Sequence, residues 1–493
     1  MRRPNDDSEV DIRVERKGYA RYWTMFAGQL RHGASLPELF AQLPEPPPLD
    51  VGRLHAMAAG QGGIWLTPYA GVERLTFGHR LTWVSGEPPL IERWFTPEDE
   101  PLAQAGAGID RMRLAIRAAI SEELGSEDDC TVAMSGGLDS PTVAAIAAQV
   151  LREEGGGAGP AGVLALCASP QQGTPATGAA KVADDWPAAR AVGDRIEGLD
   201  VRRLTNGGQI GPIDVAEEFH RRWAMPLSAP ANAWWLGGVE SVASREARRV
   251  ILTGGSGNAT FSVGPPGAPG RLLPDGSREA PSGRSSLLGR TDRARGAGRP
   301  GWPDGVSRRV RGALRGRGAT LPSPLRAGPA AKMPDHVLAM SPYLRWCLAE
   351  AMSPAVGPWT GADVRWADPL GAPQVIRAAF AMPAPEWTAD GLDRSVARRM
   401  TKGLLPDQVR LRRAKGEQSA DLPDLLRRHA DRYTDALDSF RGSPTTGKIL
   451  DTDVMWQSRH LLRGSRADAL AWRLNYLRPF TVGLFTAWWD RTR

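Results

Sequence analysis

Sulfur bridges, membrane spans and internal repeats are all missing from this chain. Of its 493 residues only Cys130, Cys167 and Cys347 are cysteines. They lie far apart, without a Cys-x-x-Cys pair or a histidine at ligand spacing, so neither a disulfide framework nor a zinc site is expected. Buried thiols in a reducing cytoplasm are the simplest reading. No apolar run approaches the roughly 20 residues of a membrane span. The opening residues Met1-Arg-Arg-Pro-Asn-Asp-Asp-Ser8 are charged and lack the apolar core of a signal peptide. A cytoplasmic location without a membrane span is therefore expected. The 56 glycines and 41 prolines follow no short period, which excludes collagen-like and solenoid architectures.

Charge is present but uneven. The formal net charge is +7. Residues 264–332 hold 13 Arg and one Lys against Asp275, Glu279, Asp292 and Asp304, a local balance of +10 that leaves the remainder near −3. This Gly- and Pro-rich segment reads as a basic, solvated insertion in an enzyme body of ordinary charge. Its surface suits an acidic peptide or a protein partner. Nucleic acid ranks last, because aromatic residues are not interleaved with the arginines for base stacking.

The most informative stretch is Thr131-Val-Ala-Met-Ser-Gly-Gly-Leu-Asp-Ser140. It predicts a buried strand, a tight turn, and a helix opening near Asp139 with Pro141 in its first turn, where the missing donor costs nothing. Two glycines let the turn present backbone N–H groups inward, and the helix N-terminus adds partial positive charge. Such a loop holds a phosphate chain, and Asp139 at its edge can hold magnesium. No lysine follows the glycines, so it is not the Gly-x4-Gly-Lys-Ser/Thr loop.

Strand-like runs recur at 162–168, 201–204 and 249–253, separated by helix-like segments at 186–195 and 214–223. A helical pattern at 109–124 precedes the first strand. This alternation, with a phosphate loop at a strand's C-terminal end, predicts an α/β fold: a doubly wound parallel sheet. Residues from 340 onward read as predominantly helical. Residues 1 to about 104 show weak alternation with turn signals at 60–63 and 86–89.

Ser135-Gly-Gly-Leu-Asp-Ser140 resembles the pyrophosphate loop of the ATP pyrophosphatases, the group that includes asparagine synthetase. The resemblance implies that Ser135, Gly136, Gly137, Leu138, Asp139 and Ser140 bind the phosphates of ATP. A second loop, Leu252-Thr-Gly-Gly-Ser-Gly-Asn-Ala-Thr-Phe261, is similar to that family's second ATP loop, Ser-Gly-Glu-Gly-Ala-Asp-Glu. Thr253 and Gly254 then face the nucleotide, and Asn258 stands where the family has a magnesium-binding Asp. An uncharged amide oxygen there holds Mg2+ more weakly. Asp184 and Asp185 match the family's Asp-Glu segment and either cap the next helix or lie near the metal.

Farther on come Asp368-Pro369, Gly391-Leu-Asp-Arg-Ser-Val-Ala-Arg398, Gly403-Leu-Leu-Pro406 and Lys415-Gly-Glu-Gln-Ser-Ala-Asp421. In this order they resemble the synthetase domain of the asparagine synthetase superfamily, and the last block resembles the branch that closes lasso peptides. Lys415 then matches the lysine that touches the α-phosphate. The resemblance implies an ATP- and magnesium-dependent, AMP-forming amide ligase domain over 105–493, with Lys415 and Asp139 catalytic. The stretch 71–95 resembles the end of a glutaminase-like domain, so 1–104 is expected to be a truncated, inactive α+β remnant of it. Arg2 occupies the place of the family's cysteine nucleophile, and glutamine hydrolysis is not expected.

The implied substrate is a precursor peptide whose Asp or Glu side chain is adenylated and then closed onto its N-terminal amine. A leader peptidase and a leader-binding protein would be its partners. Two alternatives stay open. One is a ligase acting on a small molecule, in the manner of β-lactam synthetase or with free ammonia; Tyr343 is the positional candidate for its base. The other is an inactive scaffold of a peptide-processing complex, which Asn258 and Ala259 keep alive.

Overall fold

The computed structural model describes residues 9–15, 20–60, 65–154, 162–178, 181–206, 210–227, 229–263, 321–326, 328, 331, 333–340, 344, 347–348, 363–389 and 391–493. Six strands lie in the N-terminal part: β1 (Glu9–Arg13), β2 (Arg21–Phe26), β3 (Gln29–Gly33), β4 (Glu73–Leu75), β5 (His79–Val84) and β6 (Leu90–Arg93). They form two three-stranded antiparallel sheets, in the orders β1-β5-β6 and β3-β2-β4. Two short helices, α1 (Leu36–Phe40) and α2 (Val51–Ala58), intervene, each started by a side-chain cap from Ser35 or Asp50.

The remaining strands are β7 (Cys130–Met134), β8 (Val163–Ser169), β9 (Lys181–Val182), β10 (Leu199–Thr205), β11 (Val250–Leu252), β12 (Arg365–Ala367) and β13 (Lys415–Gly416). Five of them make a parallel sheet in the order β10-β8-β7-β11-β12. The chain builds outward from β7 through β8 to β10, then returns to the other side of β7 for β11 and β12. The reversal therefore falls between β7 and β11, where parallel sheets open a crevice at their C-terminal ends.

Side chains alternate across the sheet as the pleat demands. Cys130, Val132 and Met134 share one core with helices α3 (Gly108–Leu124), α4 (Asp139–Glu154) and α5 (Trp186–Gly193). Leu164, Leu166 and Ile251 face the other way, onto Val239 and Ala243 of the later helix Ala233–Arg245. Between these helices, Pro212–Trp223 forms α6, so Ala233–Arg245 is α7. Helices thus cover both faces, which accounts for the nearly continuous apolar runs in β7 and β8.

The C-terminal part is helical, as its sequence predicts, and ends in the helix Leu477–Thr492. Two extended pieces are exceptions: β12, and β13, which pairs parallel with β9. The N-terminal strands share their apolar interiors with later segments. Phe77, Trp83 and Phe95 pack with Ala259, Val337 and Phe380, while Tyr22, Leu36 and Leu54 pack with Tyr433, Phe480 and Phe485. Most of the basic 264–332 segment, residues 1–8 with Arg2, and Tyr343 lie outside the described residues. Among the described residues no helix is long and apolar enough to cross a membrane. All three cysteines are buried free thiols, and burial pushes Cys130 and Cys167 up to about 12.

Two histidines buried in these cores make the fold acid-sensitive. His220 lies against Phe485 and Trp488, and burial holds its pKa down at about 3. His79 lies against His336, and burial first, then the His336 charge, holds it at about 4. Unfolding returns both to the ordinary histidine value of about 6.5. Between that value and the folded one the unfolded chain binds more protons, so stability falls as pH drops from about 6.5 toward 4 and 3. Each neutral histidine contributes up to ~1.4 kcal/mol of slope per pH unit inside its window. Urea midpoints should therefore fall between pH 7 and 5, and His220→Phe should flatten that fall. An unchanged slope in the variant would remove His220 from the account.

Candidate functional site

The crevice at the β7/β11 reversal is built from the two glycine-rich loops. β7 ends at Met134, and residues 135–138 turn into α4, whose first residue is Asp139. Ser140 Oγ accepts the Ser135 N–H at 2.9 Å and lies 3.2 Å from Ser135 Oγ, while Gly137 N donates to Ser135 Oγ at 3.2 Å. Serines at both ends of the hexapeptide therefore fix the turn. The first turn of α4 leaves helix N–H groups without intrahelical partners beside this loop, as an anion site requires.

The second loop follows β11 on the adjacent strand. Thr253 N–H donates to Ala367 O of β12 at 2.8 Å, and residues 255–258 coil into a single 3-10 turn. Its glycines are set by close approach. A Cβ on Gly254 would lie 2.5 Å from Ser140 N, and one on Gly257 would lie 2.5 Å from the Asp139 carboxylate. Real Cβ atoms do not sit at such distances, so glycine alone lets the loops touch. Asp368, at the end of β12, accepts from Ser256 N–H at 2.7 Å and from its hydroxyl, and so anchors the second loop to the third strand end.

Asp139 sits where these pieces meet. Its Oδ1 is buried without a hydrogen-bond partner. Burial raises its pKa and Asp368 adds to the rise; Arg394, Ser262 and Lys415 act against it. A carboxylate oxygen held in such a position fits a cation ligand, since a bound cation would compensate its desolvation. Among the described residues no cluster of three or more His, Cys, Asp or Glu side chains could hold a metal alone. Magnesium, which keeps waters and shares phosphate oxygens with one or two carboxylates, fits that arrangement at Asp139.

Lys415 lies in β13, which β9 places in register by pairing Lys415 with Lys181 and Gly416 with Val182. Glu417 ties the strand down, accepting from Thr177 N–H at 2.8 Å and from its hydroxyl. Although Lys415 is exposed as a residue, partial desolvation of its ammonium lowers its pKa and Arg394 lowers it further, whereas Asp139 and Asp393 raise it. Lys415, Arg394 and Asp139 therefore share one electrostatic environment, although they are distant in sequence.

Arg394 and Arg398, both in the block that begins at Gly391, divide the work. Arg394 adopts a left-handed backbone, φ 56°, and contributes charge to the site. Arg398 is buried and braces the following turn, donating to Asp393 Oδ1 at 2.8 Å and to the carbonyls of Arg410 and Arg412.

Of the paired acids, Asp184 acts at the helix start: its Oδ1 accepts the Trp186 N–H at 3.0 Å, and its Oδ2 pairs with Arg203 at 2.7 Å. Asp185 pairs instead with Arg412, 2.7 Å away, and Arg412 also donates to the Gly136 carbonyl at 2.9 Å. Asn258 is exposed, and the residue of its loop that lies against the Asp139 carboxylate is Gly257.

The structure thus brings together Ser135, Gly136, Gly137, Leu138, Asp139, Ser140, Thr253, Gly254 and Lys415, and adds Arg394, Arg412, Asp368 and Gly257. Arg412 is hidden in a run of arginines, so only the partner that spacing cannot reveal marks it out. No protein-family model matches the chain, and no curated protein matches it.

Proposed function

We propose that this chain is an ATP-dependent, AMP-forming amide ligase that closes a macrolactam on a peptide, with the chemistry of the lasso-peptide cyclases it resembles. In this reading the sheet domain is a doubly wound synthetase domain of the asparagine synthetase superfamily, and 1–104 is a shortened glutaminase-like region. One observation carries it: two glycine loops from adjacent parallel strands meet at the Asp139 carboxylate, whose Oδ1 is buried without a close hydrogen-bond partner, and the charge of Lys415 reaches the same carboxylate.

ATP would lie with its pyrophosphate along residues 135–140 and against Thr253 and Gly254. Asp139, with phosphate oxygens, would hold Mg2+, which neutralises charge on the leaving pyrophosphate. An Asp or Glu carboxylate oxygen of the peptide attacks the α-phosphorus, forming a C–O–P anhydride as the bond to pyrophosphate breaks. Lys415 and Arg394 supply positive charge where negative charge gathers. The peptide's N-terminal amine then attacks the acyl carbon, loses a proton, and expels AMP. Holding amine and acyl carbon together is worth far more than either group's reactivity, because it makes the second step intramolecular.

The test uses purified full-length protein, Mg-ATP and synthetic peptides with a free N-terminus and one internal Asp or Glu. Equimolar pyrophosphate and AMP, with a peptide product lighter by one water, are expected. Absence of ATP binding by equilibrium dialysis would overturn the reading. ATP bound and pyrophosphate released only with small carboxylic acids would shift it to a small-molecule ligase.

A further inference from the structure

Resting on the ATP-binding reading above, we infer that Asp185 and Arg412 form a positioning pair that sets the phosphate loop and the Lys415 strand together. Three contacts converge on it. Arg412 Nη1 donates to Gly136 O at 2.9 Å, and Nη2 pairs with Asp185 Oδ1 at 2.7 Å; both side chains are only about 15% exposed (14% and 15%). Gly136 backs directly onto the pair: a Cβ there would stand 2.5 Å from Arg412 Nη1 and 2.9 Å from Asp185 Oδ1. Gly416 lies against the Asp185 carboxylate as well, since its Cβ would fall 2.0 Å from Asp185 Oδ2.

The peptide unit between Gly136 and Gly137 gives the pair its consequence. In a trans peptide the carbonyl and the N–H point in opposite directions. Fixing the Gly136 carbonyl on Arg412 therefore turns the Gly137 N–H away from the pair, toward Ser135 Oγ, where the phosphate chain would lie. Without that hold the unit is free to flip, because glycine on both sides removes the steric barrier. Asp185, packed on Gly416, fixes at the same time the residue next to Lys415. A single ion pair thus couples the direction of a phosphate-binding N–H to the position of the lysine. Arg412 and Asp185 touch neither the reacting atoms nor the metal in this account, so they are positioning residues.

The guanidinium fork makes both contacts at once, which a lysine ammonium on a flexible stem cannot reproduce. Two variants test the pair from opposite ends. Arg412→Lys keeps the charge and loses the fork; Gly416→Ala leaves the pair's own atoms intact and forces Asp185 to move. Each is expected to weaken Mg-ATP binding, measured by equilibrium dialysis without peptide, by about tenfold or more. A defect in local packing alone would lower the thermal midpoint and leave nucleotide affinity as it was.

A second readout needs no nucleotide. Tryptic cleavage after Arg413 and Lys415 should accelerate in both variants if the pair orders that segment. Parent-like ATP affinity in both variants, with ATP bound by the parent, would overturn the inference and leave the proposed function standing. If the parent itself binds no ATP, the proposed function fails and the tryptic comparison alone decides whether the pair orders the 412–416 segment; unaltered cleavage would then overturn that as well.

Discussion

Replacing Lys415 by methionine is expected to cut pyrophosphate release by about 10²–10³-fold while ATP binding weakens far less, because the charge it meets develops in the transition state. Methionine keeps the length and apolar stem of lysine and removes only the ammonium. In the resting site that ammonium stands among Arg394, Asp139 and Asp393, two carboxylates balancing one other cation. The attack on the α-phosphorus moves negative charge onto the phosphoryl oxygens and the leaving pyrophosphate, and a nearby point charge then gains most. Partial desolvation first and Arg394 second lower the Lys415 pKa, so its charge is lost at a pH below that of an ordinary lysine. The turnover profile of the parent should accordingly fall on its alkaline side earlier than free lysine would dictate, and the methionine variant should lack that limb. Arg394→Gln, which removes the neighbour that lowers it, should move the limb upward. Loss of ATP affinity equal to the loss of rate would instead make Lys415 a binding residue.

How much of this was legible in the sequence depended on how local each signal is. The first phosphate loop declares itself in ten residues, because strand, tight turn and helix start each need particular residue types next to one another. Its helix, its strand and the α/β alternation through β8, β10 and β11 follow the sequence reading closely. The short pieces did not announce themselves. β12 is three residues, Arg365-Trp-Ala367, too few to show a period, and β13 is two. Helix Ala233–Arg245 carries Gly237 and Gly238 in its middle and a Trp pair at its start, which blur its stripe.

The site residues divide the same way. Gly254 reads in the sequence only as a residue facing the nucleotide; the fold adds that it is glycine because Ser140 N leaves no room for a Cβ. Arg412 could not be told from Arg410 and Arg413, since its partner Asp185 lies 227 positions away. Asp185 reads in the sequence as a helix cap or a metal neighbour; in the fold it is the N-cap residue of α5, but its carboxylate makes no capping bond and pairs with Arg412, while Asp184 accepts the Trp186 N–H. Chain-distant pairing is what a single sequence lacks, and it is where the coupling between Lys415 and the phosphate loop resides.

Asp139→Asn should abolish turnover and at the same time stabilise the protein. The two effects share one cause. When ionised, Asp139 is a carboxylate whose Oδ1 has no close hydrogen-bond partner, in surroundings that favour its protonated form. With the folded pKa raised above the unfolded one, the folded state binds the extra proton at intermediate pH, so stability is fully present below the unfolded value and declines as pH rises through the folded value. Asparagine has nearly the same shape, fits the same gap beside Gly257, and carries no charge to desolvate. Its melting temperature should therefore match the parent's in acid and exceed it at neutral pH, the gap widening as Asp139 ionises. Mg-ATP should reverse the order. Bound cation and phosphates compensate the carboxylate, so they should raise the parent's midpoint sharply and the variant's little. The rate should drop by about 10³-fold or more, since charge neutralisation by a metal is worth several kcal/mol in phosphoryl chemistry. A variant that melts below the parent at neutral pH would remove the strained carboxylate from the account, and one that still turns over would remove the metal. Strain that disappears when the ligand binds is the signature of a site kept for function, because a purely structural aspartate would have acquired a partner or been replaced by one that needs none.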